Sequence, residues 1–93
     1  MKVLVVNGNK IEIDLLSLFS GKETIYYNGE IVSQKKSLLG SLHSFNVKEN
    51  GVDVQYEIKV GLGFPIRATV VINRNGELLY ADNKLKNPRG VQM

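Results

Sequence analysis

Between residues 52 and 60 the chain reads Val-Asp-Val-Gln-Tyr-Glu-Ile-Lys-Val, with apolar and polar side chains in strict alternation. Val52, Val54, Tyr56, Ile58 and Val60 fall on one side of an extended chain, and Asp53, Gln55, Glu57 and Lys59 on the other. A helix with this order would scatter its apolar residues around its axis, so the pattern predicts a strand with one face in a core and one in water. The same period of two runs through Ile11, Ile13 and Leu15, through His43, Phe45 and Val47, and through Ile66, Ala68, Val70 and Ile72. These segments predict an antiparallel sheet protein in which each strand covers the apolar face of another.

Four Asn-Gly pairs punctuate the alternation, at positions 7–8, 28–29, 50–51 and 75–76. Asn and Gly tolerate the positive φ of tight hairpin turns, so four hairpins and eight strands are expected. The first joins residues 2–6 to residues 10–19, and the change of phase at Leu15-Leu16 predicts a β-bulge. In the second, a two-residue turn sets Tyr26 opposite Ile31 and Ile25 opposite Val32, with apolar side chains on both faces. For the third, matching apolar residues across the strands selects a four-residue loop, 48–51, with Val47 opposite Val52, Phe45 opposite Val54 and His43 opposite Tyr56. For the fourth, a three-residue loop, 74–76, sets Ile72 opposite Leu78 and Val70 opposite Tyr80. Residues 35–41 form an irregular connection, and Pro65, between Gly63 and the next strand, turns the chain after residue 61. The hairpin spacing hints at duplication, but the intervening segments are not alike.

Length adds one bound: 93 residues suit a single domain with one modest core. Cysteine is absent, so neither a disulfide nor thiolate chemistry is available. The non-polar run in residues 1–6 is too short for a signal-peptide core or a membrane span, which makes a cytoplasmic protein the simplest expectation. The net charge of +3 comes largely from Lys84, Lys86 and Arg89. Residues 1–83 carry nine basic and nine acidic side chains, which argues against specific nucleic-acid binding. The apolar period also stops near Asp82. The division predicted is therefore a β domain over residues 1–82 and a basic, flexible tail over residues 83–93.

Lys10-Ile11-Glu12-Ile13, then Ser20-Gly21-Lys22, then Ile25-Tyr26-Tyr27-Asn28-Gly29-Glu30-Ile31 resembles the repeated domain of the Fas apoptosis inhibitory molecule family. In that family a strand ending in a Ser-Gly-Lys turn precedes a Val-Tyr-Val-Asp-Gly-Lys type hairpin, and the hairpin of residues 72–80 looks like the family's second half. The resemblance spans residues 10–82, one domain where animal members carry two in tandem. It implies an eight-stranded antiparallel β-sandwich without catalytic activity that works through protein partners. Lys36-Ser37 stands where the family tends to place a tryptophan, and no functional residue of the family maps onto this chain.

Candidate chemistry is sparse. His43 is the only histidine, a possible general base or metal ligand, but its phase puts it at the edge of the apolar face without evident partners, so a structural role is expected. Glu12 with Asp14 and Asp53 with Glu57 are carboxylate pairs on one strand face, as a hydrolase or a hard cation would need. Alternation already explains them as the wet sides of their strands. Gly61-Leu62-Gly63 lacks the following helix that a phosphate loop needs. Of the aromatic residues, Phe45, Tyr56 and Tyr80 are in core phase, which leaves Tyr26 or Tyr27, Phe19 and Phe64 as a meagre platform for single-stranded nucleic acid. More suggestive are Val71 and Leu79, paired on the outer face of the last hairpin, with Leu38 and Leu39 in the connection; together they form the candidate interaction surface.

The sequence thus predicts a single antiparallel β-sandwich of about eight strands that binds another protein or itself, without catalysis, cofactor or metal. The last hairpin, with its apolar spot beside a sheet edge, suggests a homodimer. A small apolar ligand held between the sheets, near Phe64 and Pro65, is the alternative, and a single-stranded nucleic-acid binder ranks below it.

Overall fold

A computed structural model describes residues 2–17, 22–36, 40–63, 67–81 and 91–92. The described residues form nine strands: β1 (Lys2–Val6), β2 (Asn9–Ser17), β3 (Lys22–Tyr27), β4 (Glu30–Lys36), β5 (Ser41–Glu49), β6 (Val52–Gly63), β7 (Arg67–Arg74), β8 (Glu77–Ala81) and β9 (Val91–Gln92). They make two antiparallel sheets, a five-stranded one in the order β4-β3-β2-β1-β9 and a four-stranded one in the order β5-β6-β7-β8. The sheets pack face to face as a small β-sandwich, as the alternation predicts. No helix in the described residues is long and apolar enough to cross a membrane.

All four Asn-Gly pairs are two-residue turns. Asn7, Asn28, Asn50 and Asn75 have φ near 50°, and the glycine after each has φ of 78–87°, the pair of left-handed conformations that defines a type I′ turn. This corrects two expected loops. In the third hairpin Glu49, not Val47, stands opposite Val52, which brings Val47 against Val54, Phe45 against Tyr56 and His43 against Ile58. A shift of two residues keeps the inward face unchanged, so apolar matching alone could not choose between the registers. In the fourth hairpin Arg74 pairs with Glu77 and Asn73 with Leu78; a bulge at Leu79 then restores the inward phase, with Ile72 opposite Tyr80 and Val71 opposite Ala81. Leu79 therefore does not pair with Val71 on the outer face.

The second hairpin has the same construction. Tyr27 pairs with Glu30 and Tyr26 with Ile31, then Val32 is the extra residue and Ile25 meets Ser33 rather than Val32. Val32 and Leu79 occupy equivalent bulges, and both pack against the core. Each hairpin also docks on its neighbour through its turn asparagine. Asn28 accepts the Lys10 N–H at 2.8 Å and Asn75 accepts the Gln55 N–H at 2.9 Å, while their own N–H groups donate to the carbonyls of the same two residues at 2.7 Å. The two sheets are thus variations on one four-strand unit, in which β1 corresponds to β5 and β4 to β8. The bulge expected at Leu15-Leu16 is present, since the β2–β3 register shifts between Asp14 and Ser17.

The core holds Leu4, Val6, Ile11, Ile13 and Ile25 from one sheet and Val54, Ile58, Val60, Val70 and Ile72 from the other, around Tyr27, Phe45 and Tyr56. Phe45 and Tyr56 stack at 5.3 Å between centroids, and Tyr27 crosses from the opposite sheet at 5.9 Å from Tyr56. Glu23, Ile25 and Tyr27 form the buried face of the second hairpin, which the two apolar faces of its sequence left open. Lys2 from β1 sits 5.9 Å from the Tyr80 ring centre on β8, a cation–π contact between the sheets. Gly40 immediately precedes β5 with φ of 106°, and a Cβ there would run into the Val60 carbonyl oxygen, so only glycine fits where the chain enters this strand.

Within the segment expected to be a tail, Val91 and Gln92 pair with Val6 and Val5 as β9, a strand that the sequence pattern does not reveal. Residues 82–90 lie outside the described residues.

Candidate functional site

Two polar clusters lie between the sheets, and both depend on inward-facing residues of β3 and β5. At one end is Glu49, the last residue of β5. Its side chain points inward because the two-residue turn gives it the phase of Val47 and Phe45. A carboxylate buried this deeply requires partners. Tyr27 and Tyr56 donate their hydroxyls to Oε2 at 2.6 and 2.5 Å, and Arg74 donates Nη2 and Nε to Oε1 at 2.6 and 3.2 Å. Burial drives the Glu49 carboxyl up, but the bonds from Tyr27, Tyr56 and Arg74 outweigh it and leave it below its ordinary range. Burial, followed by the bond to Glu49 and its charge, pushes both tyrosine hydroxyls well above theirs. Arg74 is raised by its bond to Glu49, against the opposing effect of burial.

At the other end is His43, completely buried. Its Nε2 lies 2.8 Å from Glu23 Oε1 and its Nδ1 2.7 Å from Ser33 Oγ. The carboxylate can only accept, so Nε2–H donates to it; Nδ1 then accepts the Ser33 hydroxyl when the ring is neutral. Ser41 donates to the same Glu23 oxygen and lies 3.2 Å from Nε2. Glu23 and Ser33 belong to one sheet and Ser41 and His43 to the other, so this cluster joins the sheets as the Glu49 cluster does. The expected structural role of His43 fits these contacts, but its partners, Glu23, Ser33 and Ser41, were not foreseen. Among the described residues no buried side-chain nitrogen or oxygen lacks a hydrogen-bond partner.

The candidate interaction surface is partly redrawn. Val71 does lie on the outer face, half-buried and beside Lys59 and Ala81, but Leu79 packs against the core. Leu78 takes the outward position instead, opposite Asn73 and diagonal to Val71, and is 41% exposed. Leu38 and Leu39 lie outside the described residues, as do Phe19, Phe64 and Pro65. Glu12 sits beside Lys10 at 3.5 Å and Asp53 beside Lys48 at 2.9 Å, both on the outer faces as alternation predicts. Ile31 on β4 and Leu42 on β5 add exposed apolar side chains at two edges, 58% and 48% accessible.

Chemically, the Ser33-His43-Glu23 line has the order hydroxyl, imidazole, carboxylate that moves a proton in acyl-transfer enzymes. Here the imidazole is enclosed, and the Ser41 hydroxyl shares the carboxylate oxygen. The arrangement is equally a polar clamp between sheets. Comparison with protein-family models, with curated proteins and with solved structures finds no match to this chain.

Proposed function

We propose that the protein is a contact module that works by binding a second protein or itself rather than by catalysis. The observation that supports this is how side chains are divided between inside and outside. Glu23, His43, Glu49, Arg74, Tyr27 and Tyr56 are engaged with one another between the sheets, while Ile31, Leu42 and Leu78 stand in water on strands at the sheet edges. Exposed apolar side chains on edge strands suit protein contact, since an edge offers backbone donors and acceptors beside them. The resemblance to a family of partner-binding sandwich domains points the same way. The test is Val71→Lys with Leu78→Glu: loss of self-association, or of a partner retained by the parent in native extract, supports contact through this face.

A second reading is hydrolysis at Ser33, favoured by the 2.7 and 2.8 Å contacts that link it through His43 to Glu23. Labelling of Ser33 by a fluorophosphonate, lost in His43→Gln, would support it and overturn the contact-only reading.

A further inference from the structure

The four sheet edges are not alike. β4 has a bulge at Val32 and ends in Lys35 and Lys36, β8 has five residues and a bulge at Leu79, and β9 has two residues. Short length, bulges and lysines are the means by which edges are kept from pairing with other chains. β5 lacks the first two. Its nine residues keep unbroken register with β6 from Ser41 opposite Val60 to Glu49 opposite Val52. Its one outward lysine, Lys48, has its ammonium turned to Asp53 at 2.9 Å.

The direction of the edge groups follows from the turn. A two-residue hairpin makes Glu49 and Val52 a hydrogen-bonded pair, so Val47, Phe45 and His43 also bond β6. Leu42, Ser44, Asn46 and Lys48 then aim N–H and C=O away from the sheet. Lys35 Nζ reaches the Leu42 carbonyl at 2.5 Å, as that direction requires. The matching unit offers a precedent. β1 holds in its sheet the place that β5 holds in the other, and its outer edge is covered by β9.

We propose that β5 pairs antiparallel with β5 of a second copy about a two-fold axis beside Phe45, joining two four-stranded sheets into one of eight. This rests on the contact reading but not on the Val71–Leu78 face. In this register Ser44 faces Asn46 of the copy, two polar side chains able to bond, and Leu42 faces the aliphatic stem of Lys48. Each pair occurs twice by symmetry, no like charges face each other within the two paired strands, and Lys35 yields the Leu42 carbonyl to the Lys48 N–H of the copy. A shift that centred the axis on Lys48 would oppose two ammonium groups.

The test is sedimentation of the full chain over a concentration series, with amide exchange read at Ser44, Asn46 and Lys48. The parent should dimerise, and those three amides should become protected as the dimer forms. Ser44→Lys with Asn46→Lys opposes like charges across the axis and alters only exposed side chains. It should weaken the dimer at least about tenfold with an unchanged circular dichroism spectrum. Asn46→Pro, which removes one outward N–H, should act likewise. A parent that stays monomeric at high concentration overturns the proposal, and so does a dimer that survives both edge variants. A dimer broken by Val71→Lys with Leu78→Glu but not by the edge variants overturns the β5 pairing and leaves the contact reading standing; Ser33 labelling that requires His43 removes the contact-only reading itself.

Discussion

Tyr27 and Arg74 hold the same place in two matching hairpins, each the residue before an Asn-Gly turn, and they reach the carboxylate of Glu49 from opposite sheets. The hairpin repeat therefore has a chemical centre. One copy of the position contributes a hydroxyl, the other a guanidinium, and the carboxylate that both require is supplied by the end of β5.

Removing that charge should be costly. Glu49→Gln removes the charge that Arg74 pairs with and replaces one of the two acceptor oxygens by an NH2 donor, which confronts either the tyrosine hydroxyls or the guanidinium, and is expected to lower stability by about 2–4 kcal/mol. Glu30→Gln, at an exposed position of β4, is the control. Urea unfolding of both checks this, and equal midpoints would show that the Glu49 contacts contribute nothing.

The pH dependence has two flanks. Glu49 is held below its ordinary range, so its contribution is present above about pH 4.3, the unfolded carboxylate value, and is lost as pH falls through the lower folded value. Tyr27 and Tyr56 are raised, so their contribution is present below about pH 10 and is lost as pH climbs towards their folded values. Urea midpoints should form a plateau between these flanks. The tyrosinate absorbance of Tyr27 and Tyr56 should rise together with alkaline unfolding, and ionisation of these two near pH 10 without loss of structure would contradict the assignment.

The strand that defines the core face gives a third test. Ile58→Asp places an unpaired charge in the centre of the sandwich and should cost several kcal/mol, against a total of about 5–10 for a domain of this size. Lys59→Asp, one residue on and exposed, should be nearly silent. Urea melts separate the two.

Deleting residues 83–93 should not be neutral, because Val91 and Gln92 cover the outer edge of β1. A modest fall in the unfolding midpoint is expected, together with concentration-dependent association through the uncovered edge. An unchanged midpoint and a monomeric truncated chain would show that β9 adds nothing.

Much of this architecture is legible in the sequence, because alternation and Asn-Gly turns are local signals. The faces of residues 54–60, the bulge at Leu15-Leu16 and the place of Phe45, Tyr56 and Tyr80 in the core all follow from them, whereas Val52, which the same period puts on the core side, is 62% exposed beside the turn. The Glu49 site is not legible, since a charge opposite Val52 argues for a longer loop until its three partners are known. Those partners lie 7, 22 and 25 residues away along the chain and gather only when both sheets exist. The bulges at Val32 and Leu79 are hidden for a related reason. Leu79 lies between Leu78 and Tyr80, and Val32 follows Ile31, so apolar side chains occur in both phases and the residue that turns inward is decided by the space between the sheets.

The distances along the chain also set an order of events. Each type I′ turn closes a loop of two residues, a step of microseconds, whereas Glu49 can meet Tyr27 and Arg74 only after separate hairpins have been brought together. The carboxylate is thus a late contact. Its loss in Glu49→Gln should appear mainly as faster unfolding, with the refolding rate little changed, which stopped-flow measurement in urea would resolve. A buried charge in this position acts less as a nucleus than as a latch, fixing how long the assembled sandwich stays closed.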